Sequence, residues 1–115
     1  MKEVVNILPS AALTATGATA AFVTPPGANS VSVQVSVTAV SGTTPSATFS
    51  LEWSEGGGLW HKADPADDFA AITAVGSVVK SFTPKGSLLR LAYTITGTTP
   101  SLTTQAVAVA WGPPS

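Results

Sequence analysis

The chain has no cysteine and a single histidine, His61, in 115 residues. Disulfides, thiol catalysis and thiolate metal sites are therefore excluded, and nothing points to an oxidising compartment. A nucleophile triad or zinc site built on His61 would need converging Ser and Asp or further ligands, and no such set stands out. Charge is scarce too. Five Lys and Arg face six Asp and Glu, 10% of the chain, where soluble domains usually carry roughly 25%. Five scattered cations cannot make the basic footprint that phosphate binding needs, so nucleic acid is not an expected partner. Hydrophobic residues make up 44% and mean hydropathy is +0.36, with much of the apolar share being Ala. Even so, no run approaches the ~18 apolar residues of a membrane helix. A signal peptide fits poorly, because Glu3, Asn6, Pro9 and Ser10 interrupt any apolar core after Lys2. The expectation is a chain that starts at Met1 and is made in the cytoplasm.

What the chain does have is alternation. Val31-Ser32-Val33-Gln34-Val35-Ser36-Val37, Phe49-Ser50-Leu51-Glu52-Trp53 and Leu89-Arg90-Leu91-Ala92-Tyr93-Thr94-Ile95 place an apolar residue at every second position. That period marks strands with one buried face. Gly42-Thr43-Thr44-Pro45-Ser46 recurs letter for letter as Gly97-Thr98-Thr99-Pro100-Ser101, each copy between two such runs. Gly tolerates positive φ and Pro drives the preceding Thr towards extended geometry, so each copy reads as the tip of a hairpin. Parity changes between Val37 and Val40, which predicts a bulge near Ala39.

The remaining segments read as follows. Glu3 to Leu8 is a short apolar run ended by Pro9, either an edge strand or part of an N-terminal arm over residues 1–9. Thr24 to Asn29, with Pro25-Pro26-Gly27, is a break. Glu55-Gly56-Gly57-Gly58 is a turn, because no Gly-Lys-Ser/Thr follows that would make it a phosphate loop. Leu59 to Lys62 begins a return strand, Asp64-Pro65 caps a single helical turn, and 112–115 is a flexible tail. About eight short strands with a turn signal roughly every ten residues indicate one all-β domain over 1–115. The expected form is a single antiparallel β-sandwich, jelly-roll-like or immunoglobulin-like.

Candidate sites are few. Asp64, Asp67 and Asp68 crowd one turn, but calcium wants six to eight oxygens in a built loop, so a solvated acidic turn is the simpler reading. Trp53, Trp60 and Trp111 would suit a carbohydrate-stacking platform, although Trp53 shares its parity with Phe49 and Leu51 and belongs in a core. Five of the six acids fall between residues 52 and 68, while Lys80, Lys85 and Arg90 cluster downstream. An acidic end and a basic end would favour head-to-tail contacts between copies. The expected interface residues are Trp60, His61, Trp111, Thr43, Pro45, Thr98 and Pro100. No catalytic, metal or cofactor set emerges, and no enzymatic activity is expected.

The block Glu52-Trp53-Ser54-Glu55-Gly56-Gly57-Gly58-Leu59-Trp60 resembles a strand–turn–strand element of small bacteriophage virion β-sandwich proteins, the capsid decoration and minor structural proteins. Ile72-Thr73-Ala74-Val75-Gly76, Leu89-Arg90-Leu91-Ala92-Tyr93 and Thr96-Gly97-Thr98-Thr99-Pro100-Ser101 are similar to the rest of that family. The resemblance spans roughly residues 30–109, with Glu55-Gly56 where Asp-Gly is commoner. It implies a structural protein on the capsid surface of a virion, self-associating as a trimer and bound to the major capsid protein. The alternative it leaves open is a tail or fibre module that binds a receptor or carbohydrate through Trp60 and Trp111. A surface this poor in charge suits a protein covered by neighbours.

The alternation also assigns a core. Leu51→Ala should cost about 2–5 kcal/mol on denaturant unfolding, as other large-to-small core changes do. A loss under about 0.5 kcal/mol would put Leu51 on the wrong face.

Overall fold

Both Gly-Thr-Thr-Pro-Ser segments lie inside strands. The computed structural model describes residues 2–24, 27–62 and 67–112, so the expected helical turn at Asp64-Pro65 falls outside the described residues, as do 113–115 of the expected tail. The named elements are all strands: β1 (Lys2–Leu13), β2 (Gly17–Ala18), β3 (Phe22–Val23), β4 (Ser30–Ser54), β5 (Gly76–Phe82) and β6 (Leu88–Trp111). They form an antiparallel sheet in the order β1-β6-β4-β5, with β2 and β3 also paired to β6. The expectation of an all-β, antiparallel domain therefore holds. The two hairpins do not exist: β4 and β6 pair with each other from Ser30 opposite Trp111 to Ser54 opposite Leu88.

The reason lies in the repeat itself. Gly42 (φ 103°) and Gly97 (φ 120°) take conformations closed to other residues, and Thr44 (φ 47°) and Thr99 (φ 44°) are left-handed. The strained residues bulge each strand without reversing it. From Ser41 opposite Ser101 to Thr43 opposite Thr98, two steps of β4 match three of β6; from there to Ser46 opposite Thr96, three match two. Each strand carries one extra residue and the two insertions cancel. The two copies are also interlocked: a side chain on Gly42 would meet Thr99 O at 2.5 Å and Thr98 O at 2.9 Å, and one on Gly97 would meet Thr44 O at 2.7 Å and Thr43 O at 2.9 Å. A pseudo-twofold axis thus passes through the Thr43–Thr98 pair. It also exchanges Val40 opposite Leu102 with Ala47 opposite Ile95.

A straight 25-residue strand would run roughly 80 Å at ~3.3 Å per residue, yet the molecule is 48 Å in its longest dimension. The ladder therefore coils strongly, and the paired bulges are natural places for it to bend. A bulge apart from these two, expected near Ala39, is present as a register shift between Val37 and Ala39.

Residues 2–13 are the edge-strand alternative, not an arm. β1 pairs with β6 from Lys2 opposite Trp111 to Leu13 opposite Leu102. Pro9 read as a stop, but it sits in a register shift between Leu8 and Ala11, where a ladder tolerates a residue without an N–H. A shift between Asn6 and Leu8 likewise lets the consecutive Ile7 and Leu8 both be buried. Leu59 to Lys62 is not a return strand; only His61 bridges to Trp53.

The core matches the alternation. Val31, Val33, Val35 and Val37 are buried together with Phe49, Leu51 and Trp53 in one cluster, which also takes in Leu89, Leu91, Ile95 and Leu102. Tyr93 is half-buried against it, its ring 6.3 Å from that of Phe49. Between Ala106 and Ala110 the inward residues of β6 are all alanines. The cluster therefore draws on both halves of the β4–β6 ladder.

Gly42→Ala should cost at least about 2 kcal/mol on urea unfolding, because backbone strain of order 1–3 kcal/mol is joined by a clash with Thr99 O. Gly27→Ala, at positive φ but facing open space, should cost no more than half as much. Equal losses at the two sites would mean that φ alone, and not the interlock, matters.

Candidate functional site

The acidic and basic segments meet inside the molecule. Glu52 and Arg90 are cross-strand neighbours, and Arg90 Nε donates to Glu52 Oε1 at 2.7 Å. The Arg90 guanidinium in turn lies 4.6 Å from the centre of the Trp60 ring. Asp67 accepts from the indole Nε1 of buried Trp53 at 2.8 Å and from Lys85 Nζ at 3.0 Å. Glu55 accepts from the Ser87 hydroxyl at 2.7 Å and from the Ser87 N–H at 3.2 Å. The two charged blocks of the sequence are thus stitched to one another by the antiparallel register, and they do not form opposite poles for head-to-tail assembly. Ion pairs this near the surface contribute about 0–1 kcal/mol each. The Trp53–Asp67 bond matters more, since a buried indole without a partner costs about 1–3 kcal/mol.

A groove of about 410 Å³ opens beside the Arg90–Glu52 pair. Ser50, Glu52, Arg90, Ala92 and Thr94 contribute from the central strands, residues 16–18 from one flank and Lys62 from the other. The 16–19 flank is fixed by side chains: Thr16 Oγ1 accepts from Ile95 N at 3.1 Å and Thr19 Oγ1 from Leu91 N at 3.0 Å. Gly17 lies against the Tyr93 ring, where a Cβ would come 3.1 Å from the hydroxyl. The groove presents hydroxyls, the guanidinium and an ammonium. These suit hydrogen bonding to a polar ligand. Among the described residues no three His, Asp or Glu side chains converge as a metal site. Of the acids weighed for calcium, Asp64 lies outside the described residues, Asp67 is held by Trp53 and Lys85, and Asp68 is 4.0 Å from Lys62.

The structure brings together four of the seven expected interface residues. Thr43, Pro45, Thr98 and Pro100 lie side by side in the interlocked bulges rather than at two separate tips, with both threonines exposed and both prolines half-buried. The aromatic residues are dispersed. Trp53 is fully buried and cannot stack on a ligand. Trp60 is half-buried beside Arg90. Trp111 is 42% exposed at the other end of the ladder, with the Lys2 ammonium 5.0 Å from its ring. His61 is exposed, and its backbone exchanges bonds of 2.9 and 3.1 Å with Trp53.

Another surface escaped the sequence reading. Opposite the core, the first half of the sheet sets Lys2, Val4 and Asn6 beside Trp111, Val109 and Val107; these lie beside Ser30, Ser32 and Gln34, and Ser81 and Val79 follow. Val4 is 58% exposed and Val79 61%. Within those rows Lys2 is the one charged residue. The signal was present in Ala106-Val107-Ala108-Val109-Ala110, where the smaller residue of each pair faces the core and the larger one faces out.

No family model matches the chain, and no curated protein matches it. Among solved structures it is similar to the crystal structure of the SPBc2 prophage-derived protein YomS, with a TM-score of 0.55 and 12% identity. The match covers 95% of this chain and 93% of the other. The two chains share a fold.

Asp67→Ala should lower stability by about 1–3 kcal/mol by leaving the Trp53 indole without its acceptor. Lys85→Ala should cost under about 1 kcal/mol, as expected for an exposed ion pair. Paired chemical-denaturation curves would check this; equal losses would show that the ion pair, and not the indole bond, holds the turn.

Proposed function

We propose that this chain is a non-enzymatic structural protein of a bacteriophage virion, decorating or cementing the capsid surface. The observation that carries the reading is the outer face of the first sheet half, where exposed Val4, Val79 and Trp111 are flanked by Ser, Asn and Gln and accompanied by one charge. Isolated soluble domains rarely keep such a face bare. The likeness in fold to a prophage-derived protein supports the same direction. In this reading the β4–β6 ladder folds back at its interlocked bulges, giving two layers of a β-sandwich, and a trimer of such domains rests on the major capsid protein. Nucleic acid and membrane play no part.

A second reading has its own support in the groove, where a guanidinium beside Trp60 is flanked by hydroxyls and Lys62. It would make the chain a tail- or fibre-associated module that binds a receptor or carbohydrate.

Quantifying the protein in purified particles separates the two. A decoration protein should be present in many copies spread over the head and be visible as surface density there. A few copies confined to the tail would overturn the first reading. Val4→Glu combined with Val107→Glu should leave the melting temperature within a few degrees, because both residues lie on the outer face, while reducing occupancy on particles at least tenfold. Full occupancy by that variant would remove the outer face from the attachment.

A further inference from the structure

The sheet has two open edges, and they differ. The β1 edge is guarded: it carries Lys2 and Glu3, contains Pro9, and its register breaks twice. Natural proteins use charge, proline and bulges in this way to keep edges from pairing with other chains. The β5 edge has neither proline nor register break. From Val31 opposite Phe82 to Val37 opposite Gly76, all seven residues of β5 pair with β4 without a shift. The strand contains no proline, and its one charge, Lys80, is drawn back onto its own chain. Lys80 Nζ donates to the Asp68 carbonyl at 2.6 Å and lies 5.9 Å from the Phe82 ring centre. Ser77 and Ser81 are likewise satisfied internally, by Ser36 and Ser32 at 2.9 Å each. Val79, midway between them, is 61% exposed. Among the described residues β5 pairs with β4 alone, so the far side of its backbone is an open row of donors and acceptors.

We propose that β5 pairs antiparallel with β5 of a second copy of this chain, centred on Val79, so that the sheet runs unbroken across a twofold axis. Three observations favour a second copy over a foreign strand. The register that uses all seven residues places Val79 against Val79 and Ser77 against Ser81, so apolar meets apolar and hydroxyl meets hydroxyl. It sets Lys80 against Val78, so no like charges face each other directly, which is the main obstacle to self-pairing of a charged edge. Finally, a twofold axis perpendicular to the sheet keeps equivalent faces on the same side, so the charge-poor outer face of one copy continues into that of the next. The pairing adds a specific contact to the self-association proposed above but rests on the strand alone. A twofold contact of this kind would link threefold units across a surface lattice.

The absence of cysteine makes the test direct, since an introduced thiol is the sole one. Sedimentation of the full chain should show a dimer that dissociates on dilution, and Val79→Cys should form a covalent dimer under mild oxidation. Ser77→Cys and Ser81→Cys, oxidised separately, should stay largely monomeric, while their mixture should cross-link to each other. Val79→Lys, an exposed substitution, should leave circular dichroism and melting unchanged and raise the dimer dissociation constant at least tenfold. A chain that stays monomeric at high concentration overturns the pairing, as does a Val79→Cys variant that cross-links no faster than Val4→Cys. Either result would leave particle occupancy, and with it the virion reading, to be decided separately.

Discussion

The reciprocal insertion of Gly42 into the Thr98–Pro100 backbone, and of Gly97 into the Thr43–Pro45 backbone, is the constraint on which the rest of the architecture depends. Each glycine leaves room for the other strand's carbonyls, and each neighbouring threonine accepts a left-handed conformation that costs about 1 kcal/mol or more in isolation. The Thr44 and Thr99 hydroxyls offset part of that cost by donating at 2.8 Å to the carbonyls of Thr43 and Thr98. Because the two extra residues cancel, register is recovered on the far side, and Phe49, Leu51 and Trp53 return to the core face in phase with Leu91 and Ile95. With either of these two insertions missing, the second half would be a residue out of step and its apolar set turned outward. The exact repetition of five residues is therefore explained by pseudo-symmetry: two segments that fill each other's space under one twofold axis face the same steric demands.

The same register governs the electrostatics. Antiparallel pairing of β4 with β6 carries the acids near residue 52 to the bases near residue 90, so much of the scarce charge is consumed within the molecule. Trp60 and Trp53 are drawn into these pairs through cation–π contacts with Arg90 and Lys85. What remains outside is uneven: a polar groove on the second half of the sheet, and a face of Val, Ser and Gln on the first. Surfaces of this kind offer apolar and backbone complementarity more than charge steering, and contacts of that type depend little on salt.

Much of this was legible in the chain. Strand identity, the parity of Val31 to Val37 and of Phe49 to Trp53, and the bulge near Ala39 follow from a period of two, which is a local property of an extended backbone. The groove was less so. Trp60 stands out as an aromatic residue and Glu52 and Arg90 as members of two charged blocks, but nothing joins the three until a ladder places residues 38 apart opposite each other, and no local pattern encodes that distance. The outer face was legible in principle, because alternating Ala and Val in β6 already says that one face is small and the other large. Which face is buried depends on what packs against it, and that is decided outside the strand.

The sequence by itself determined that the chain is all-β and antiparallel, that it lacks thiol chemistry, and which residues of each strand share a face. Tertiary structure alone decided that Gly-Thr-Thr-Pro-Ser continues a strand where, as an isolated segment, it would turn one. The physical reason is that glycine at positive φ followed by a left-handed threonine is compatible with either a turn or a bulge. The choice goes to whichever leaves fewer backbone groups unpaired. Here the second copy, 55 residues away, supplies the opposing strand that makes the bulge the better solution.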